Sequence, residues 1–192
     1  AGRADPHIAL AAPTGRAAER MAESVRNALQ ALATAGTDAG VIAALPTSGT
    51  TLHRLLGTIP DSPRFRHDAG NPLPFDVVVV DEASMIDLPL MAKLVEAVPD
   101  GARLVLLGDP DQLPSVEAGD VLSGILRAAG DGTALAPEDA EALHPLFVGA
   151  AHGRDHPAVA PTSNFPGRRV HLQRGWRQHD ALQLAPLATA VR

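Results

Sequence analysis

Two adjacent acidic residues follow an apolar run near the middle of the chain. Phe75-Asp76-Val77-Val78-Val79-Val80 ends in Asp81 and Glu82. A carboxylate such as Asp81 can hold Mg²⁺ through water, while Glu82 orients and deprotonates a water that attacks a phosphate. The same pair could instead cap the helix that follows. On this dipeptide alone the two interpretations stand near even.

Two more polar clusters end apolar runs in the same way. Pro13-Thr14-Gly15-Arg16 follows the first run of the chain, and Gly108-Asp109-Pro110-Asp111-Gln112 follows a later one. Ligands of open α/β sheets bind outside the carboxyl ends of the strands. The three clusters therefore predict one site at a sheet edge.

The elements that would position these clusters are strands joined by helices. Apolar residues at spacings of three and four predict a helix over 16–33, and Asp87 is expected to cap another that ends near Pro99. Unbroken β-branched runs are typical of strands covered on both faces. Two such strands joined by a helix require a parallel sheet, so the fold class is α/β, a parallel sheet flanked by helices. The predicted strands are His7–Ala12, Phe75–Val80 and Arg103–Leu107.

The rest of the chain predicts shorter elements and connections. We expect a connection over 34–49, a short helix over Thr51–Leu56, a proline-rich excursion over 58–74 and a helix near Val121–Ala129. Val170–Leu172 is predicted to be a strand. These patterns divide the chain into a core at 1–129, a flexible or irregular insertion at 130–168, and a return strand with a polar segment at 169–192.

Composition excludes several classes of protein. The chain has 192 residues, a formal net charge of −6 and no cysteine, so it has neither a disulfide framework nor a thiolate metal site. No apolar run approaches the roughly 18 residues of a membrane span, which predicts a cytoplasmic protein without a membrane partner. Residues 61–120 carry a net charge of −8 and 168–192 carry +4, so a metal ion suits the middle and phosphates suit the end.

Four segments, in order, resemble the motifs of superfamily 1 DNA helicases. The segment 12–18 resembles motif Ia, 81–85 the Walker B segment, 107–116 motif III and 172–177 motif IV. Three further stretches narrow the resemblance to the RecD family, the alpha subunits of exodeoxyribonuclease V. These stretches are 51–57, 71–74 and 116–121.

The resemblance implies a RecA-like P-loop NTPase domain and assigns roles at the nucleotide. Asp81 would hold the Mg²⁺ of MgATP and Glu82 would activate the hydrolytic water. Gln112 would sense the γ-phosphate, with Asp109 in the same coupling loop. Arg177 would reach the γ-phosphate, and Arg174 is a weaker candidate; a planar guanidinium suits developing phosphoryl charge. The alternatives are that Arg177 pairs with the acidic middle and that Gln112 is only a loop hydrogen-bonding residue.

The resemblance also implies a path for single-stranded DNA. Pro13, Thr14, Gly15 and Arg16 would lie against it, because backbone N–H groups at a helix start favour a phosphate and Arg16 adds charge. Thr14 could alternatively be only a helix cap. Thr51 and His53 match a family segment near the DNA path.

The loop that cradles phosphates in P-loop enzymes is absent from the sequence. That loop requires G-x-x-x-x-G-K-[ST], and the single lysine, Lys93, falls inside a predicted helix. We therefore expect a fragment of the first RecA-like domain that lacks the P-loop, binds nucleotide poorly and hydrolyses none.

The resemblance implies that the parent protein is an ATP-dependent 5′ to 3′ DNA helicase. It would act on single-stranded and duplex DNA with RecB-like and RecC-like subunits, within a nuclease of recombination and double-strand break repair. Three alternatives stay open: a stand-alone or relaxase-type superfamily 1 helicase, a non-catalytic DNA-binding module, and an unrelated Mg²⁺-dependent hydrolase that uses Asp81, Glu82 and Asp109.

Overall fold

A small parallel sheet forms the centre of the first part of the chain. The computed structural model describes residues 5–109, 121–130, 141, 168–170 and 172. The chain divides into two compact units, 1–125 and 126–192, with the division inside a helix. The first unit contains four strands, β1 (Ile8–Ala12), β2 (Thr50–Thr51), β3 (Val77–Val80) and β4 (Arg103–Leu106). They lie in the order β2-β1-β3-β4, and all neighbouring pairs are parallel.

The first strand and helix form where the sequence predicts them. β1 leads through a two-residue turn into α1 (Gly15–Thr34). The Thr14 side chain accepts a hydrogen bond from the backbone N–H of Ala17 at 3.2 Å, which satisfies one of the unpaired donors of the helix start. α1 packs on the sheet through small residues, and Ala17 and Ala18 belong to one buried cluster with Ala12.

A second strand-helix-strand unit follows the proline-rich excursion. β3 is succeeded by a single 3₁₀ turn, Ala83–Met85, and then by α4 (Leu88–Ala97). As the sequence predicts, the Asp87 side chain caps α4, accepting from the Leu90 N–H at 2.8 Å. Met91 and Leu94 of α4 are buried, and β4 then returns to the sheet beside β3.

The predicted α/β fold class, a parallel sheet flanked by helices, is confirmed, although one face of β3 and β4 is only partly covered in the described residues. Val78 and Val80 are fully buried, whereas Val77 and Val79 on the other face are only half-buried. On β4, Val105 is 39% exposed. A continuous β-branched run indicates a strand, but the burial of each face depends on which helices pack there.

Three short elements lie between α1 and the proline-rich excursion. The connection at 34–49 contains a helix, α2 (Ala39–Ala43), which is capped by Asp38. β2 was not predicted, because two residues give no periodic signal. The predicted short helix is confirmed as α3 (Leu52–Leu56), with Thr51 as its N-cap and Gly57 in the left-handed conformation after its end.

Backbone hydrogen bonds hold the proline-rich excursion near its start and near its end. Thr58 pairs with Phe65 in an antiparallel bridge, and the Arg66 N–H donates to the Gly57 carbonyl oxygen at 2.8 Å. Leu73 is 2% exposed, and its N–H donates to the Ala97 carbonyl oxygen at the end of α4. The excursion is therefore an ordered part of the fold without regular secondary structure.

The last described helix, α5 (Val121–Ala129), is confirmed where periodicity predicts it. In the second unit Arg169 donates to the Gly130 carbonyl oxygen at 2.6 Å, beside the end of α5. Val170 and Leu172 adopt no strand and are more than four-fifths exposed, so the predicted strand is wrong at these two residues. Apolar residue types alone do not form a strand without a neighbouring strand to pair with. His171 and most of the predicted insertion at 130–168 lie outside the described residues.

Among the helices of the described residues, none combines the length and the hydropathy needed to cross a membrane.

Candidate functional site

The parallel sheet brings the polar clusters to one edge. Ala12 pairs with Thr51, Ala11 with Val80, and Val80 with Leu106. All four strands therefore end at nearly the same level, and the residues after them form a continuous row. The row contains Thr51 at the end of β2 and His53 beyond it, the segment 13–16 after β1, Asp81 and Glu82 after β3, and Gly108 and Asp109 after β4.

The acidic turn, defined here as residues Asp81–Met85, is fixed to the strands on both sides. The Asp81 N–H donates to the Ala11 carbonyl oxygen of β1 at 2.9 Å. The Ala83 N–H donates to the Leu107 carbonyl oxygen after β4 at 2.8 Å. Asp81 is half-buried, and its Oδ1 accepts from the Glu82 N–H at 2.9 Å. One carboxylate oxygen is thus occupied within the turn itself.

Glu82 has a backbone conformation that is rare for its residue type. Its φ is 53°, in the left-handed region, which costs a non-glycine residue about 1–2 kcal/mol. Such outliers persist where the surrounding structure enforces them, often at functional sites. The side chain of Glu82 makes no capping hydrogen bond, and α4 is capped by Asp87 instead. The alternative that Asp81 and Glu82 cap the following helix is therefore wrong.

The end of β4 lies close against the acidic turn because residue 108 is a glycine. A Cβ at Gly108 would lie 3.1 Å from the backbone nitrogen of Ser84 and 2.8 Å from Cδ2 of Leu122. Any side chain here would push the β4 exit away from the turn. Asp109, which is exposed, follows directly, so the structure brings the third predicted carboxylate to the same edge.

The acidic residues suit Mg²⁺ only when other ligands complete its shell. Among the described residues no group of three or more histidine, cysteine, aspartate or glutamate side chains could hold a metal ion. Mg²⁺ keeps several waters and commonly binds one or two carboxylates together with substrate phosphates. Asp81 fits that kind of site as a single protein ligand, acting directly or through water.

The candidate DNA-contacting residues lie beside the acidic turn on the same edge. Thr14, Gly15 and Arg16 are exposed and Pro13 is half-buried, and a Cβ at Gly15 would meet open space. The Thr14 oxygen accepts from Ala17 within the helix cap, but its hydroxyl hydrogen can still donate to a ligand.

The two candidates at the end of β2 also make contacts within the protein. Thr51 caps α3, accepting from the Arg54 N–H at 3.3 Å. The exposed His53 ring contacts Phe65 edge-on, with ring centroids 5.8 Å apart. Both residues sit at the row of strand ends, and both have a local structural role.

Three predicted site residues, Gln112, Arg174 and Arg177, lie outside the described residues. The single lysine does not belong to a phosphate-binding loop. Lys93 lies within α4, and its ammonium group pairs with the Glu96 carboxylate at 2.8 Å. The prediction that Lys93 belongs to a helix is confirmed.

Sequence reasoning assigned no role to one residue of the acidic turn. Ser84 is 5% exposed, and its hydroxyl has no hydrogen-bond partner in the described part of the chain. The sequence shows a polar residue two positions after the acidic pair, but its burial without a partner is a property of the folded turn.

Comparison with known proteins relates the chain to a family. A family model described as an AAA domain matches residues 2–118. The chain is 52% identical over 134 residues to the RecBCD enzyme subunit RecD of Mycolicibacterium smegmatis, which covers 68% of this chain and 23% of that protein. It is 50% identical over 122 residues to the same subunit of Haemophilus influenzae, covering 63% of this chain and 19% of that protein.

A further relative carries a different name. The ATP-dependent RecD2 DNA helicase of Deinococcus radiodurans is 39% identical over 149 residues, covering 78% of this chain and 18% of that protein. The chain therefore spans about a fifth of the length of the curated relatives that it matches.

Proposed function

The chain belongs to the AAA-domain family, and we propose that it forms most of the first RecA-like domain of an ATP-dependent DNA helicase subunit of the RecD kind. The observation that carries this proposal is the acidic turn, fixed between the ends of β1 and β4 at the row of strand ends. The sequence identity of 50% or more to two RecD subunits supports the same function.

The acidic turn would do the chemistry of phosphate-bond cleavage. Mg²⁺ supplies charge neutralisation at the phosphates when MgATP is bound, and Asp81 would hold it. Glu82 would accept a proton from the attacking water through its carboxylate. Among the described residues that carboxylate has no hydrogen bond or ion pair, which supports its availability as a base. Gln112, Arg174 and Arg177 would complete the site around the γ-phosphate.

A direct backbone link would couple this chemistry to DNA. The Asp81 N–H is bonded to the Ala11 carbonyl, one residue before the Ala12 that leads into Pro13. A change at the nucleotide would therefore reach the 13–16 segment through the shared edge of β1 and β3. Arg16 would contribute positive charge to a phosphate, and Pro13, Thr14 and Gly15 would pack along a single strand. Thr51 at the end of β2 and His53 beyond it would extend that path.

We propose that the parent protein works in the cytoplasm with RecB-like and RecC-like subunits. In that assembly its 5′ to 3′ movement along DNA would serve an exonuclease of double-strand break repair and recombination. The names of the relatives with 50% or greater identity support this assignment. The 39% identity to a RecD2 helicase, over a larger share of this chain, favours a helicase without those partners as the second candidate.

Co-purification discriminates the two candidates. A RecD-type subunit should co-purify from its own cells with two large partners and with nuclease activity. Recovery of the full-length protein alone, as an active helicase, would instead support the second candidate.

The full-length protein and the isolated chain should differ in ATP hydrolysis. The full-length protein should hydrolyse ATP in a reaction that requires Mg²⁺ and is stimulated by single-stranded DNA. The 192-residue chain alone should hydrolyse none, since it lacks the lysine loop that reaches the β- and γ-phosphates. Measurable Mg²⁺-dependent hydrolysis by the purified chain would contradict this part of the proposal. Phosphatase or nuclease activity of the chain would support the unrelated hydrolase instead.

A further inference from the structure

The hydroxyl of Ser84 is buried in the acidic turn without a hydrogen bond. Ser84 is 5% exposed, and its oxygen has no hydrogen-bond partner among the described residues. A hydroxyl buried in this way has lost its hydrogen bonds to water without replacement, which is unfavourable. Alanine would occupy nearly the same volume without that penalty. The hydroxyl therefore points to a second arrangement of the acidic turn in which it is paired.

The peptide unit between Asp81 and Glu82 is the strained part of the same turn. Glu82 has φ 53°, and its N–H is held by Oδ1 of Asp81 at 2.9 Å. The carbonyl oxygen of Asp81 accepts no hydrogen bond within the described part of the chain. Rotation of this peptide unit would return Glu82 to negative φ and reverse the direction of the Asp81 carbonyl.

We propose that Ser84 is a positioning residue. Rotation of the peptide unit between Asp81 and Glu82 lets the Ser84 hydroxyl donate to the Asp81 carbonyl oxygen and releases the Asp81 carboxylate for Mg²⁺. The exchange replaces one hydrogen bond, from the Glu82 N–H to Asp81 Oδ1, by another. Serine commonly donates to the carbonyl three residues earlier, so the spacing from 84 to 81 suits the new bond.

The neighbouring contacts restrict the movement to that one peptide unit. The Asp81 N–H is bonded to β1, and the Ala83 N–H is bonded to the Leu107 carbonyl oxygen at 2.8 Å. The closeness of Gly108 to the Ser84 nitrogen also leaves Ser84 little freedom to shift. The peptide between these fixed points can rotate while the turn keeps its place. The inference rests on the proposed function, because it assumes that MgATP is what favours the released carboxylate.

Ser84→Ala in the full-length protein tests the inference through two readouts. Without nucleotide, the unfolding temperature should equal or exceed that of the natural protein, because the hydroxyl is unpaired in this arrangement. In ATP turnover, the Mg²⁺ concentration for half-maximal rate should rise about two- to tenfold, the equivalent of one hydrogen bond, with kcat at saturating Mg²⁺ nearly unchanged. Ser24→Ala is the matched control, since Ser24 is exposed on α1 and its hydroxyl donates to the Arg20 carbonyl oxygen.

Each outcome distinguishes the inference from the proposed function. Ser84→Thr keeps the donor and should restore the natural Mg²⁺ dependence. Ser84→Cys keeps the side-chain size with a weak donor, and should behave like Ser84→Ala if the alanine variant does not fold. An unchanged Mg²⁺ dependence in Ser84→Ala, or a lower unfolding temperature without nucleotide, would overturn the positioning role and leave the ATPase intact. Absence of Mg²⁺-dependent turnover in the natural protein would overturn the proposed function itself.

Discussion

Gly108→Ala tests how closely the exit of β4 must approach the acidic turn. The added Cβ would lie 2.8 Å from Cδ2 of Leu122, 3.1 Å from the Ser84 nitrogen and 3.2 Å from the Ala83 nitrogen. The leucine methyl group can move aside, although Leu122 is only 3% exposed. The two backbone nitrogens belong to a turn already tied to Leu107, so β4 itself must shift.

The size of the effect follows from that overpacking. Forcing extra carbon into a packed interior typically costs about 1–3 kcal/mol. For a chain of about this length, each kcal/mol lowers Tm by about 2–4 °C, so Gly108→Ala should lower Tm by about 2–12 °C. Thermal unfolding of the purified chain, followed by circular dichroism, measures the shift.

A matched glycine gives the control for this substitution. Gly124 lies within α5, and a Cβ there would meet open space. Gly124→Ala should therefore raise the stability by up to about 1 kcal/mol, because alanine is the better helix former. If Gly108→Ala unfolds at the temperature of the natural chain, the close approach of β4 to the acidic turn is refuted.

Three other substitutions test the elements that support the site. Thr14→Ala should remove the N-cap of α1 and lower the unfolding free energy by about 1 kcal/mol, which lowers Tm by about 2–4 °C. Thr14→Asn should keep the cap and the natural Tm. Equal Tm values for the natural chain and both variants would argue against the cap. Leu73→Ala should lower the unfolding free energy by about 2–5 kcal/mol in urea titration, and a loss below 1 kcal/mol would show that Leu73 does not anchor the excursion. Arg16→Ala in the full-length protein should weaken single-stranded DNA binding and reduce the slope of log binding constant against log salt concentration by about 0.7. Arg20→Ala, farther along α1, should leave this slope unchanged. Identical slopes for the natural protein and Arg16→Ala would show that Arg16 does not contact the DNA.

The sequence predicts the long elements because their signals are local. Three local signals each predict an element and nearly its bounds. They are the apolar spacing of α1, the β-branched run of β3 and the Asp87 cap of α4. β2 and α2 are missed, since elements of two and five residues carry too little periodicity. Val170 and Leu172 are predicted as a strand because residue type suggests it, but strand formation depends on pairing that is not local.

The candidate site is predictable in composition but not in conformation. Parallel strands bring their carboxyl ends together, so the approach of Asp81, Glu82 and Asp109 to the 13–16 segment follows from the clusters alone. The left-handed backbone of Glu82 is not predictable, because glutamate rarely adopts it and only the surrounding bonds enforce it. The unpaired hydroxyl of Ser84 likewise depends on packing of the turn against Gly108. The assignments of Gln112, Arg174 and Arg177 stay predictions.

The most direct test of the proposed chemistry is ATP turnover by the full-length protein carrying Glu82→Gln. Glutamine keeps the shape of the side chain but cannot accept the proton of the attacking water, so kcat should fall by about 10²–10⁴-fold. Equilibrium binding of ATP should stay within about twofold, since the charge that would hold Mg²⁺ belongs to Asp81. Glu23→Gln, at an exposed position on α1, should leave both unchanged. Turnover by Glu82→Gln at the natural rate would contradict the assignment of Glu82 as the base.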